Sequence, residues 1–135
     1  MGALTEEQRQ IEAPGAPEVV GYVASRAASC LKTYVGLIDP MRKVARHLGY
    51  ALAVHGSLAR DIDLIAVPWI DDAVEPAALV GALIEVIKGF DKNGFAFVDK
   101  DCPRLKPHGR LAWSIHFTGG GYFDLGVMPR EVASC

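Results

Sequence analysis

The sequence predicts an α+β domain with helices covering one side of a mixed β-sheet. Three observations carry that expectation. Apolar residues recur every three or four positions in segments bounded by Pro and Gly. Elsewhere they alternate with a period of two, the spacing of a strand with one buried face. The order of these segments reads α-α-β-β-α-β-β-β, without an internal repeat. At 135 residues the chain has room for one domain rather than two.

Residues 1–17 are polar and then rich in Ala, Pro and Gly, which predicts a mobile N-terminal arm ahead of a single domain over residues 18–135. Between 18 and 37, Val19, Val20, Val23, Ala27, Leu31 and Tyr34 have helical spacing. Gly21 and Gly36 weaken that helix by roughly 1 kcal/mol each relative to Ala. The next helix is better marked. Asp39 can cap it, and Pro40 sits at the first helical position, where its missing N–H costs nothing. Met41, Val44, Ala45 and Leu48 form its apolar stripe, and Gly49 can stop it in the left-handed conformation.

Tyr50 to Val54 reads as a buried strand that ends at His55-Gly56-Ser57, and Ile62 to Val67 as a second strand closed by Pro68. Glu75-Pro76 opens a helix with Leu79, Val80, Leu83, Ile84 and Ile87 on a wide apolar face and Gly89 at its end. Phe95 to Val98 is a short strand. Asp99 to Arg110 is a loop holding Lys100, Arg104, Lys106, His108 and Arg110. The last two strands form a hairpin around Gly119-Gly120-Gly121. Pairing Phe117 with Phe123, Ile115 with Leu125 and Trp113 with Val127 puts the large apolar residues on one face and sets His116 opposite Asp124 on the other.

Half the residues are hydrophobic and 22% are charged, as in an ordinary globular protein. The net charge of −2, from 14 basic and 16 acidic side chains, argues against broad coating of nucleic acid, which needs a surplus of Lys and Arg. No apolar run approaches the roughly 20 residues that span a bilayer. The acidic N-terminus lacks the apolar stretch of a signal peptide, so a cytoplasmic location is expected. Cys30, Cys102 and Cys135 form no C-x-x-C pair, and three thiols in a reducing compartment are expected.

Asp61 and Asp63 stand two apart at the start of a strand, so both carboxylates point to one face. Two like charges so placed repel unless a cation lies between them, and hard oxygen donors suit Mg²⁺ or Mn²⁺. Asp124 likewise interrupts an apolar strand. Three such carboxylates on one polar face could hold metal ions for an in-line phosphoryl displacement. Gly56 would let a phosphate approach the backbone, Ser57 adds a hydroxyl donor, and Arg60 with the Lys100–Arg110 loop could neutralise a polyphosphate. Plainer roles compete. Asp61 could be a turn residue and Asp63 a surface acid. Asp124 could pair with His116, His55 and Ser57 could serve a tight turn, and the basic loop could be a solvated surface. No Walker loop, H-E-x-x-H, Rossmann glycine pattern or G-x-S-x-G is present, and no lysine is fixed by spacing as a nuclease partner.

The order of an apolar strand, Gly56-Ser57, the segment Asp61-Ile62-Asp63-Leu64-Ile65-Ala66-Val67 and the later Tyr122-Phe123-Asp124-Leu125-Gly126-Val127 resembles the nucleotidyltransferase superfamily of the DNA polymerase beta type. The resemblance covers about Asp39 to Arg130. It implies a nucleotidyltransferase-like mixed sheet with helices mainly on one face. It also implies Mg-dependent transfer of a nucleotidyl group from a nucleoside triphosphate to an unidentified hydroxyl acceptor. Asp61, Asp63 and Asp124 would then be the catalytic and metal-binding acids, with Gly56, Ser57 and Arg60 against the triphosphate. The chain also resembles small proteins encoded by tailed phages and prophages, which would put it in a bacterial host cytoplasm. Only Leu58, Ala59 and Arg60 separate Ser57 from Asp61, a shorter connection than that family uses. The second expectation is therefore an accessory protein of this fold that binds a partner or a nucleotide without turnover.

Overall fold

A computed structural model describes residues 35–58, 61–99 and 102–130. The expected arm and, up to residue 34, the expected helix over 18–37 lie outside the described residues; its last three residues, Val35–Leu37, form a 3-10 turn. The described elements run, in order, α1 (Ile38–His47), β1 (Tyr50–His55), β2 (Ile62–Pro68), α2 (Pro76–Phe90), β3 (Ala96–Val98), β4 (Arg104–Leu105), β5 (Leu111–Phe117) and β6 (Tyr122–Val127). A short 3-10 turn, Val35–Leu37, leads into α1, and another, Pro107–Gly109, lies between β4 and β5. The fold is α+β, as expected.

The strands form one mixed sheet in the order β1-β2-β6-β5-β3, with β4 also paired to β5. Only β2 and β6 run parallel among the described pairs; the others are antiparallel. Period-two alternation sorts the two faces. Tyr50 and Leu52, Ile62, Leu64 and Ala66, Trp113, Ile115 and Phe117, and Phe123, Leu125 and Val127 are all buried and belong to one core. Met41 and Ala45 of α1 join it with Leu79, Val80, Leu83 and Ile87 of α2. Both described helices therefore cover the same face. The other face carries His55, Asp63, Ser114, His116, Tyr122 and Asp124, none of them fully buried.

Both helices differ from expectation at their ends. α1 begins one residue before Asp39, which lies in its first turn, and the 3-10 turn takes the place of a side-chain cap. α2 starts as expected, with Glu75 at the cap and Pro76 at the first position, but runs through Gly89 to Phe90. What stops it is Asp91. This buried carboxylate accepts hydrogen bonds from the backbone N–H groups of Asn93, Phe95 and Thr118, each at 3.0 Å, and from the Thr118 hydroxyl at 2.7 Å.

The same clamp corrects the hairpin. Thr118 is drawn towards Asp91, and the Phe117 N–H bonds the Gly121 carbonyl, so the turn closes between Phe117 and Tyr122. Ile115 then faces Phe123, Trp113 faces Leu125 and Ser114 faces Asp124. The strands slip by two residues relative to the expected pairing. Faces are preserved and partners are not. His116 therefore lies opposite Tyr122 rather than Asp124, and its Nε2 instead meets Asp99 Oδ2 at 2.7 Å. Trp113 is in the core, whereas Trp69 is 78% exposed.

Candidate functional site: three carboxylates on the open sheet face

The parallel pairing of β2 with β6 sets Asp63 directly beside Asp124. Adjacent strands lie about 4.8 Å apart, so neighbouring side chains on one face can meet. Asp61 stands just before β2 with the same parity as Asp63. One carboxylate oxygen from each of Asp61, Asp63 and Asp124 lies within 4.8 Å of the others, and all three side chains are partly exposed. The alternation of apolar and acidic residues explains this arrangement. Ile62, Leu64, Phe123 and Leu125 are drawn into the core, which turns the aspartates between them outwards.

Electrostatics record the crowding. The Asp63 carboxyl is pushed above its ordinary range by burial first, then by the charges of Asp61 and Asp124. A hydrogen bond between the Asp61 and Asp63 carboxyls adds to the shift, and His55 works in the opposite direction. That hydrogen bond needs a proton on one of the two acids. A proton thus relieves the repulsion that a divalent cation would relieve more fully. Three hard oxygen donors at this separation fit Mg²⁺ or Mn²⁺.

Gly56 comes off the end of β1 with φ +77°, and a Cβ built there would lie 2.2 Å from Asp63 Oδ2. Glycine at this position both permits the turn and leaves space for the carboxylate. Ser57 follows and is exposed. Arg60 lies outside the described residues, as does Lys100 of the basic loop. Two members of that loop do reach the open face. Arg104 donates to Ser114 Oγ at 3.0 Å and to Asp124 Oδ1 at 3.3 Å. The Arg110 side chain packs over Gly126, where a Cβ would meet its Nη1 at 2.9 Å.

Tyr122 escaped the sequence reading. Its hydroxyl hydrogen-bonds Asp61, and its pKa is raised by burial first and then by the charges of Asp61, Asp124 and Asp63. The signal was present in the parity of β6, where Tyr122 and Asp124 share a face. A cavity of about 480 Å³ lies elsewhere. It lies near the Tyr50 end of β1 and is lined by Arg42, Lys43, Arg46 and Trp69 among others, with none of the three acids. Convergent carboxylates, rather than size, mark the candidate centre.

No protein-family model matches the chain, and no curated protein matches it in sequence. Solved structures do resemble it. The chain is similar to terminal uridylyl transferase 4 from Trypanosoma brucei. With bound CTP, that structure is 17% identical, covers 84% of this chain and 41% of its own, and gives a TM-score of 0.44. The same protein with bound dUTP is 18% identical over 84% of this chain and 41% of its own, at a TM-score of 0.40. With bound UTP and UMP the figures are 17% identity, 82%, 41% and 0.40. This chain spans about 41% of the length of the transferase. The comparisons lend no support to a phage source. Among the described residues no helix is long and apolar enough to cross a membrane.

Proposed function

We propose that this chain transfers a nucleotidyl group from a nucleoside triphosphate to a hydroxyl acceptor, whose oxygen bonds the α-phosphorus as the α–β anhydride bond breaks and pyrophosphate leaves, with Mg²⁺ or Mn²⁺ held by Asp61, Asp63 and Asp124. The observation that carries the reading is the convergence of these three carboxylates within 4.8 Å on one face of two adjacent strands. A divalent ion bound there would neutralise the carboxylates and stabilise charge developing on the phosphoryl oxygens. The chain's own groups do the rest. Gly56 lets the polyphosphate approach the backbone beside Asp63, and Ser57 offers a hydroxyl donor. Arg60 and Arg104 supply positive charge. Asp124 would take the proton of the attacking hydroxyl, and Arg104, which now donates to Asp124 Oδ1 at 3.3 Å, would turn to the phosphate.

The test is transfer from an α-labelled nucleoside triphosphate in Mn²⁺, with Asp61→Asn/Asp63→Asn as the control. Label retained on an acceptor by the wild type, and absent from the double variant, is the expected result. Equal labelling by both proteins would remove the acids from the reaction.

One observation favours the second reading, binding without turnover. Only three residues join Ser57 to Asp61, and Leu58 among them adopts a left-handed backbone at φ 57°. Leu58 also packs against the core. A connection of three residues is short for lifting a triphosphate over the acids. Metal-dependent nucleotide binding with no labelled product would establish this reading in place of the first.

A further inference from the structure

The end of the β1–β2 pair remote from the acids carries a fixed, exposed turn. His55 pairs with Asp63 and Tyr50 with Pro68, so the turn that follows Pro68 lies about 17 Å along the strands from Asp63. The Trp69 N–H bonds the Gly49 carbonyl at 2.7 Å. The Ala73 N–H bonds the Ile70 carbonyl at 3.2 Å, which puts Asp71 and Asp72 at the apex. The base of the turn is fastened. Ala73 is buried against Gly49, where a Cβ would lie 2.7 Å from the Ala73 Cα, and Arg130 donates to the Ala73 carbonyl at 3.2 Å. The apex is not covered. Trp69 is 78% exposed, Ile70 52% and Val67, which shares a strand face with Trp69, 42%. Asp71 and Asp72 are exposed too. Large apolar side chains held out in water on a fixed backbone mark a contact surface for another molecule, and one that loses little freedom on binding.

Beside this turn lies the cavity of about 480 Å³. Trp69 and Ile70 form part of its wall, and α1 lines it with Arg42, Lys43 and Arg46 against one acid, Asp39. Arg42 is partly engaged, because its Nε donates to the Leu52 carbonyl at 3.3 Å and its Nη1 lies 4.0 Å from Asp39 Oδ1. Lys43 and Arg46 are exposed, and among the described residues they have no ion-pair partner. The same holds for Asp71 and Asp72. A chain of net charge −2 thus sets three cations in one hollow and two acids on the apex next to it.

We infer that the turn over residues 69–73 seats in the cavity of a second copy of this chain, and the second copy's turn in the first, so that two chains form a two-fold dimer. In a two-fold interface the same patch serves on both sides, so one surface must carry both complementary halves. This surface does. Asp71 and Asp72 of one copy meet Lys43 and Arg46 of the other, while Trp69 and Ile70 leave water at the centre, the place where large apolar anchors contribute most to binding. A foreign acidic segment would fill the cavity and leave the apolar apex uncovered. A second copy covers both. The inference is independent of the proposed transfer reaction, because the interface lies at the far end of the strands from the three carboxylates.

The experiment is sedimentation equilibrium of the full chain in EDTA, from micromolar to near-millimolar concentration. Wild type should pass from the mass of one chain to that of two, and molar salt should shift it back towards one. Lys43→Glu/Arg46→Glu sets acid against acid, and Asp71→Lys/Asp72→Lys sets cation against cation. Either variant alone should dimerise more weakly by on the order of a hundredfold. An equimolar mixture of the two should dimerise again, since each offers the charge that the other now lacks. The chain carrying all four changes should do so by itself. All four side chains are exposed, so circular dichroism should show wild-type folding in each variant. A wild type of one-chain mass at every concentration overturns the inference. So do charge-reversed variants that dimerise as wild type does, and a mixture that stays monomeric. A monomeric wild type whose Trp69 emission is quenched by inorganic triphosphate also overturns it, and gives the cavity to a foreign anion. The transfer assay reads the other proposal separately: a dimer that transfers no label keeps this inference and loses that reaction, and an active monomer does the reverse.

Discussion

Asp63 concentrates the physical conflict of this protein. Its pKa is raised above the ordinary 3.8 by burial and by Asp61 and Asp124. The folded state therefore holds a proton that the unfolded chain has already released. Between the unfolded and folded values, stability falls as pH rises, because the folded state binds more protons there. Above the folded value the cost is fully present. Asp63→Asn should accordingly melt higher than wild type at pH 7 without metal, and the gain should shrink as pH falls towards 3.8 and below. Millimolar Mn²⁺ should reverse the order by stabilising wild type alone. Melts across pH with and without Mn²⁺ check both halves. A variant that melts lower at every pH would mean that Asp63 is held by structural hydrogen bonds instead. Gly56 belongs to the same balance. Gly56→Ala adds a Cβ at 2.2 Å from the Asp63 carboxylate and a left-handed penalty of about 1–2 kcal/mol. The expected result in urea melts is a loss of at least that size, with weaker Mn²⁺ binding because Asp63 must move.

At the scale of the elements, periodicity told which side of each strand is buried, and a single unremarked residue decided how two strands meet. Leu111 to Phe117 and Tyr122 to Val127 alternate so regularly that their faces were legible from the sequence. Their register was not, since a slip of two residues leaves every face unchanged. Asp91 fixes it from the end of α2, through bonds to Thr118 that no local pattern encodes. The grip of Asp91 on a residue in the hairpin is a tertiary fact. Burial alone would raise the Asp91 pKa. The hydrogen bonds from Thr118, Phe95 and Asn93 outweigh it and hold the group at about 2. A depressed carboxylate stabilises the fold above its unfolded pKa of 3.8 and stops doing so as pH falls through about 2. Asp91→Ala should therefore cost about 2–3 kcal/mol at neutral pH, since several donors lose a charged acceptor. It should also flatten the stability profile between pH 4 and pH 2, seen in urea melts over that range. β4 was missed for a different reason: two residues, Arg104 and Leu105, are too few to show a period.

For the whole molecule, the decisive relation is the adjacency of β2 and β6, elements distant in sequence and parallel in space. Composition and periodicity gave the layers but could not choose this neighbour. The two aspartate motifs suggested it only through their resemblance to a family. The consequence is thermodynamic. An unfolded chain keeps Asp61 near Asp63 but not near Asp124, so the three-carboxylate site exists only when the sheet is assembled. A divalent ion that binds this site opposes global unfolding rather than local fraying. Its contribution is RT ln(1 + [L]/Kd), about 2.7 kcal/mol at a hundredfold excess over Kd. For a domain of this length that raises Tm by on the order of 10 °C. Wild type should show this rise with Mn²⁺, in proportion to the logarithm of its concentration once above Kd. Asp124→Asn should lose most of it despite keeping the Asp61–Asp63 pair intact, because the donor that makes binding depend on β2–β6 pairing has lost its charge. If Asp124→Asn responds to Mn²⁺ as wild type does, the ion is held locally by Asp61 and Asp63, and the sheet's central pairing has no part in the metal site.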